Sequence, residues 1–99
     1  MVLEHALLSI RPGEADQFEV ALAEARAVIA DSPGFISLTL RRGVERPDAY
    51  LLLVEWETLD DHLVGFRQSE RFVRWRELIG PYFAAPPAVD HFVGVELPV

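Results

Sequence analysis

The amino-acid sequence predicts an α+β domain of the ferredoxin-like type, with two helices on one face of a four-stranded antiparallel sheet. Apolar residues recur with the two-residue period of strands in some segments and with helical spacing in others. These segments follow one another in the order β-α-β-β-α-β, which is the split β-α-β pattern. At 99 residues the chain has room for one hydrophobic core. Residues 1–99 are therefore interpreted as a single domain.

The first strand is expected from Val2 to Ile10, and Pro12 and Gly13 mark the turn after it. In the first helix apolar residues follow helical spacing, and acidic residues occupy the first turn, where the helix dipole favours them. This helix is expected to end near Asp31, because the Asp-Ser-Pro-Gly sequence that begins there breaks helices.

The second and third strands are separated by a turn rich in Gly, Pro and Asp. From Phe35 to Arg42 apolar and polar residues alternate, which indicates a strand with one wetter face. From Tyr50 to Trp56 the centre of the segment is continuously apolar. Such a run is typical of a strand that is buried on both sides.

The second helical region is expected to begin near Thr58, which resembles the start of a capping box completed by Asp61 in place of the usual Glu or Gln. Gly65 is unfavourable inside a helix and Ser69 is a good N-cap, so a break between them is predicted. The last strand is expected where alternation returns, in the sequence AVDHFVGVEL of residues 88–97.

The composition argues against several classes of partner. Sixteen acidic residues against nine arginines give a formal net charge of −7, which opposes binding to nucleic acid or anionic lipid. Without cysteine there is no disulfide, thiol nucleophile or thiolate metal site. The N-terminal segment lacks the features of a signal peptide, and no apolar run approaches the roughly 20 residues of a membrane span. A cytoplasmic protein is expected.

The predicted sheet has a second face that two helices cannot cover. The third strand is apolar on both sides, and both sets of alternating residues in the first and last strands are apolar. Exposed apolar patches of this size are unusual on a monomer. A twofold homodimer in which two sheets pack face to face is therefore predicted.

Several stretches resemble the antibiotic biosynthesis monooxygenase family of dimeric α+β barrels. These are PGFISLTLRR in the second strand, LLVEWETLDDH from the third strand into the helix, and FRQSERF after it. The resemblance implies the dimeric α/β barrel fold for nearly the whole chain. Its superfamily includes cofactor-free oxygenases of polycyclic phenols or quinols, haem-degrading enzymes and members without known activity.

The haem-degrading branch of that superfamily fits this chain poorly. Its axial histidine lies seven residues after the serine of the Ser-x-x-Phe motif, and counting from Ser69 that position holds Arg76. Its first-strand asparagine is missing from the matching sequence EHALL. Haem ligation in that mode is therefore not expected.

The candidate site is centred on Trp56 and His62. Trp56 closes the third strand, where its ring can line a cleft or simply fill a corner of the core. His62 shares a helix face with Phe66 and has the pKa of a general base near neutrality, although it is also compatible with a solvated first turn. Because Leu59, Leu63 and Phe66 already form an inward stripe, His62 is expected at the rim of the cleft, partly exposed.

Other candidates carry open alternatives. Arg67 can contact a phenolate oxygen or belong to a solvated face, and Tyr50 and Phe72 are candidate substrate-binding residues. His5 and His91 interrupt apolar alternations in neighbouring strands, so the two rings can lie close together on one sheet face. They are interpreted as core, interface or pocket histidines, and a metal site is not expected because a third ligand is missing.

The leading functional prediction is a cofactor-independent monooxygenase that oxidises a small aromatic phenol or quinol with O2. His62 is the candidate base, Arg67 the candidate oxyanion partner, and Trp56, Phe66, Tyr50, Phe72 and His91 are the candidate substrate-binding residues. No cofactor motif is found in the sequence. The alternative is a non-catalytic homodimeric module that binds a hydrophobic small molecule or a protein.

Overall fold

A computed structural model describes residues 1–98, so Val99, the last residue of the predicted domain, lies outside the described residues. The fold confirms the predicted order of elements. They are β1 (Val2–Ser9), α1 (Ala15–Ala30), β2 (Phe35–Arg42), β3 (Ala49–Trp56), a π-helical segment (Asp61–Phe66), α2 (Glu70–Ile79), a 3-10 turn (Gly80–Tyr82) and β4 (Ala88–Phe92).

The four strands form one sheet in the order β2-β3-β1-β4, and all neighbouring pairs are antiparallel. This is the predicted ferredoxin-like arrangement, with β1 and β4 side by side. The register places Val2 opposite Trp56 on one side and Leu3 opposite Phe92 on the other. The middle of the sheet is therefore made by β1 and β3, which carry Glu4 and Trp56.

The core lies between the sheet and the two main helices. In β1 the residues that face the helices are Val2, Glu4, Ala6 and Leu8, which resolves the choice between the two apolar sets of that strand. The buried apolar side chains are Val2, Ala6, Leu8, Ile10, Ala15, Phe18, Ala21, Leu22, Ala25, Ile29, Leu38, Tyr50, Leu52, Val54, Trp56, Phe66, Trp75 and Ile79. Glu4 is thus a charged residue in an otherwise apolar row, and such a residue needs partners.

The second helical region is divided into two pieces, as predicted. Thr58 and Asp61 cap each other, since each main-chain N–H donates to the other's side-chain oxygen at 3.1 Å. A π turn follows, in which the N–H of Arg67 donates to the carbonyl of His62. Ser69 occupies the N-cap position of α2, although its hydroxyl donates to the carbonyl of Phe66 instead of capping.

The π turn changes which side chains face inward. In a regular α-helix Leu59, Leu63 and Phe66 share one stripe, but the extra residue of a π turn rotates that face. His62 and Phe66 are the buried residues of the segment, while Leu59 is 42% exposed. Gly34 lets the side chain of Asp61 pack closely against the backbone, because a Cβ at this position would collide with the Asp61 carboxyl group. Its φ of 85° also suits glycine.

The last strand is shorter than predicted. β4 ends at Phe92, and Val93, Val95 and Leu97 are exposed. The register places Phe92 opposite Leu3, and β1 begins at Val2, so the residues after Phe92 extend past the start of β1.

The second face of the sheet remains partly open in the single chain. Leu51 and Leu53 of β3, which point to this face, are only partly buried in the single chain. Leu7 and Phe92 on the same face are 42% and 51% exposed. Within residues 1–98, none of the helices has the length and apolar character that crossing a membrane requires.

Candidate active site

A cleft of about 920 Å³ lies between the sheet and the second half of the chain. Its floor is formed by β1, and its walls come from the π-helical segment, α2 and residues of the segment 80–87. This volume falls in the range of small-molecule sites. The cleft is therefore the candidate site, and the side chains at its floor define its chemistry.

Glu4 is the polar group at the floor of the cleft. It is only 6% exposed and lines the cavity from β1. The indole Nε1–H of Trp56 donates to its Oε1 at 3.0 Å, and Nε2 of His62 lies 3.2 Å from the same oxygen. Two ring nitrogens therefore hold one oxygen of a buried carboxyl group.

His62 is buried in the wall of the cleft, not partly exposed at its rim as the sequence suggested. Its side chain is 3% exposed, and its ring stacks on Trp56 with centroids 5.3 Å apart and planes 15° apart. Its Nδ1 lies 2.8 Å from Nε2 of His91, so both ring nitrogens have partners. His62 and Phe66, four residues apart, are the buried side chains of the π-helical segment.

His91 and His5 lie on opposite faces of the sheet, so the expectation that their rings meet is wrong. His91 is opposite Glu4 in the register and faces the helices, whereas His5 is opposite Asp90 and faces away from them. On that second face His5 packs against Phe92, with ring centroids 5.4 Å apart. Of the two, only His91 joins the hydrogen-bonded network of the cleft.

One assignment of protons satisfies the whole network. If Glu4 is a carboxylate, Nε2 of a neutral His62 carries the hydrogen and donates to Oε1. The Nδ1 lone pair of His62 then accepts the Nε2–H of His91. Glu4, His62 and His91 form a continuous chain of hydrogen bonds from the cleft towards β4.

The pKa values follow from burial. Burial raises the pKa of Glu4, against the opposing effects of the Trp56 hydrogen bond and the Arg67 charge. Burial, Arg67 and then His91 lower the pKa of His62 to about 4. Burial and then Arg67 also lower the pKa of His91. Both imidazoles are therefore neutral at pH 7, as the proton assignment requires.

Aromatic rings surround this network. Phe66 and Phe72 line the cleft and meet edge to face, with centroids 5.5 Å apart. Trp75 also lines the cleft and packs against Phe66. Trp56 is fully buried behind His62, so it supports the wall from the core side. The exposed Arg67 borders the same cleft.

Tyr50 belongs to a different part of the molecule. It is buried on the helical face of the sheet, and its hydroxyl donates to Glu19 of α1. Burial and the Glu19 carboxylate raise the pKa of Tyr50 to about 12. The Arg42 guanidinium lies over its ring. The structure therefore does not bring Tyr50 together with the other predicted substrate-binding residues.

Sequence reasoning missed two residues of the site. Glu4 has the same parity as Val2, Ala6 and Leu8, and a single carboxyl group in such a row is a detectable sign of a buried polar site. Trp75 is one of several aromatic residues in an amphipathic helix, and no sequence signal marked it as a residue of the site. Within residues 1–98, no three His, Cys, Asp or Glu side chains converge as metal ligands would.

Comparison with known proteins matches most of the chain to one family. The family model named antibiotic biosynthesis monooxygenase matches residues 1–78. The uncharacterized protein YczJ of Bacillus subtilis (strain 168) is 41% identical over 95 residues, which are 96% of this chain and 100% of that protein.

Solved structures show the same fold. A Bordetella bronchiseptica protein bearing the family's name is 41% identical, with a TM-score of 0.93 over 96% of this chain and 97% of that chain. SnoaB from Streptomyces nogalater, a cofactor-independent oxygenase solved in a mutant form, is 19% identical, with a TM-score of 0.81 over 97% and 94%. At that identity the likeness to SnoaB shows the fold alone.

Proposed function

Because the chain belongs to the antibiotic biosynthesis monooxygenase family, we propose that it oxidises a small aromatic phenol or quinol with O2 without a cofactor. The observation that carries this proposal is a cleft of about 920 Å³ in which aromatic walls meet a buried carboxyl–imidazole network. The cofactor-independent oxygenase SnoaB, which shares the fold, supports it.

The proposed reaction begins with loss of the substrate's hydroxyl proton. The resulting phenolate is electron-rich and reduces O2, so the substrate itself supplies the electrons. One oxygen atom enters the ring as a carbonyl oxygen, and the other leaves as water with two hydrogens from the substrate. The chain's part is to orient the ring between Phe66, Phe72 and Trp75, to exclude water and to accept the proton.

Arg67 is the proposed partner of the phenolate oxygen. Its positive charge lowers the pKa of Glu4, His62 and His91, so it acts on the end of the cleft where the proton is accepted. It also borders the cleft from the end of the π-helical segment. A guanidinium in this position stabilises an anion that forms during the reaction.

Oxygen uptake tests the proposal. Purified, metal-free protein is expected to consume O2 when a panel of hydroquinones and polycyclic phenols is added. Arg67→Gln is expected to lower kcat/KM by about 10²-fold, the scale of losing one electrostatic partner of a developing oxyanion. Arg74→Gln, an exposed arginine of the same helical region, is the matched control and should behave like wild type.

The contrary result is no oxygen uptake above that of heat-denatured protein with any member of the panel. Saturable binding of an aromatic ligand without turnover would then favour the non-catalytic binding module.

We also propose that the open sheet face forms a twofold homodimer. Leu7 and Phe92 on that face are exposed, and the partly buried Leu53 lies at its centre. Sedimentation is expected to give a dimer at micromolar concentration for wild type and a monomer for Leu53→Glu, because a buried unpaired carboxylate is costly. Val20→Glu, on the exposed surface of α1, is the control and should remain dimeric. A monomeric wild type would contradict the proposal.

A further inference from the structure

We infer that Glu4, through its Oε2 atom, takes the proton from the substrate hydroxyl and that His62 positions Glu4 without touching the substrate. This inference rests on the proposed function. It differs from the expectation drawn from the sequence, in which the imidazole of His62 is the base.

Both ring nitrogens of His62 already have partners, so neither is free to accept a proton from the substrate. Nε2 lies 3.2 Å from Oε1 of Glu4, and Nδ1 lies 2.8 Å from Nε2 of His91. A general base must have a lone pair within hydrogen-bonding distance of the proton that it removes. To receive a substrate proton directly, His62 would first have to give up one of these two partners inside a buried site.

The two carboxyl oxygens of Glu4 differ in their contacts. The contacts that the described part of the chain makes with this carboxyl group, from Trp56 Nε1 and His62 Nε2, both fall on Oε1. Within residues 1–98, the fully buried side-chain atoms that lack a hydrogen-bond partner do not include Oε2. Because Oε2 has no such partner, it is therefore not fully buried. Because Glu4 also lines the cleft, Oε2 is the oxygen left to face a ligand. One oxygen is held and the other is available.

The chemistry of the step balances. The substrate O–H bond breaks, an O–H bond forms at Oε2, and a carboxylate plus a phenol become a carboxylic acid plus a phenolate. No electron is transferred in this step, and the net charge of the site does not change. Arg67 favours the phenolate, while the N–H groups of Trp56 and His62 hold the carboxyl group in place throughout.

The pH at which activity appears depends on which of the two groups is the base. The polar and charged groups facing Glu4 are Trp56 from β3, His62 from the π-helical segment, His91 from β4 and Arg67 beyond it. If Glu4 is the base, kcat/KM rises with pH through a pKa above the ordinary carboxyl value of 4.5. If His62 is the base, the rise is centred near its pKa of about 4.

The kinetic test compares variants of the two residues. Glu4→Gln keeps an oxygen that can accept from Trp56 and His62 but loses the basic group, so kcat is expected to fall by about 10²- to 10⁴-fold with little change in KM. His62→Gln retains an N–H donor towards Glu4 and is expected to lose less than about tenfold. His62→Leu should lose more of its kcat than His62→Gln, and its kcat/KM should rise at a higher pH than that of wild type.

Glu70→Gln is the matched control, because Glu70 is an exposed carboxylate at the start of α2 that does not line the cleft, and it is expected to keep wild-type kcat. Wild-type-like turnover in Glu4→Gln, or inactivation of His62→Gln to the level expected for Glu4→Gln, would overturn the inference.

A second readout needs no turnover, so it distinguishes failure of this inference from failure of the proposed function. The probe is 4-nitrophenol, whose phenolate absorbs at longer wavelength than the neutral phenol. Wild type at a pH below the probe's own pKa is expected to bind it as the phenolate, and Glu4→Gln as the neutral phenol. Phenolate bound equally by both proteins, or by neither, would overturn the assignment of Glu4. If the bound phenolate depends on Glu4 but the protein consumes no oxygen, the assignment of Glu4 as the proton acceptor would stand and the proposed monooxygenase function would be wrong.

Discussion

Replacing Trp56 with alanine is expected to lower the free energy of unfolding by about 3–5 kcal/mol, the usual cost of removing a buried aromatic side chain. Trp56 has no exposed surface and packs against both His62 and Phe66. Its loss also removes the indole donor to Glu4. Because single domains are stable by only about 5–15 kcal/mol, this one change removes a large part of the total.

The conservative replacements separate packing from hydrogen bonding. Trp56→Phe and Trp75→Phe both shorten a buried ring that packs against Phe66. Only Trp56→Phe also removes the hydrogen bond that the indole donates to Glu4. This variant should therefore be less stable than Trp75→Phe by a further 1–3 kcal/mol or so.

Urea unfolding of the two variants and wild type at one pH measures this difference. Equal losses in the two variants would mean that the hydrogen bond from Trp56 to Glu4 contributes nothing measurable to stability.

The sequence predicts most of this fold because its local signals agree with the global arrangement. The segment from Phe35 to Arg42 matches the bounds of β2, although the register shifts between Phe35 and Ser37 and Ile36 is 40% exposed. The Thr58–Asp61 capping box is present with both hydrogen bonds. Where the sequence prediction of the fold failed, distant contacts decide the structure. β4 stops at Phe92, which lies opposite Leu3 near the start of β1, and that register depends on contacts between residues far apart in the sequence.

The site was harder to predict than the fold. The aromatic walls could be anticipated, since Phe66 and Phe72 lie in the helical region that the family resemblance marks. The direction of His62 could not, because helical spacing placed it on a face with Phe66 while a solvated position in the first turn was equally compatible with the sequence. Glu4 was overlooked because both alternating sets of β1 are apolar, so the sequence did not decide which set faces the helices.

The stability of the fold is expected to fall as the pH is lowered from 6.5 towards 4, because His62 is buried as the neutral imidazole. Its folded-state pKa of about 4 is below the ordinary value of 6.5, so between these two values the unfolded chain binds more protons than the folded chain. The free energy of unfolding therefore rises with pH across this window. A displacement of this size corresponds to roughly 3 kcal/mol.

Glu4 acts in the opposite direction over part of the same window. Its pKa is raised, so the folded chain holds a proton that the unfolded chain has already lost above pH 4.5, and this contribution to stability disappears as the pH rises further. His91, whose pKa is lowered, adds to the effect of His62. In wild type the free energy of unfolding should therefore rise less steeply with pH than it would if only His62 and His91 titrated.

Measuring the free energy of unfolding between pH 4 and 7.5 in three variants separates these effects. The slope should become steeper in Glu4→Gln, which removes the opposing titration, and shallower in His62→Gln, which removes the main cause. His5→Gln is the matched control, because His5 lies on the other face of the sheet and outside the network, and its curve should parallel that of wild type. A His62→Gln curve parallel to wild type would show that folding does not lower the pKa of His62. Burial of a neutral imidazole would then not be the cause of the pH dependence.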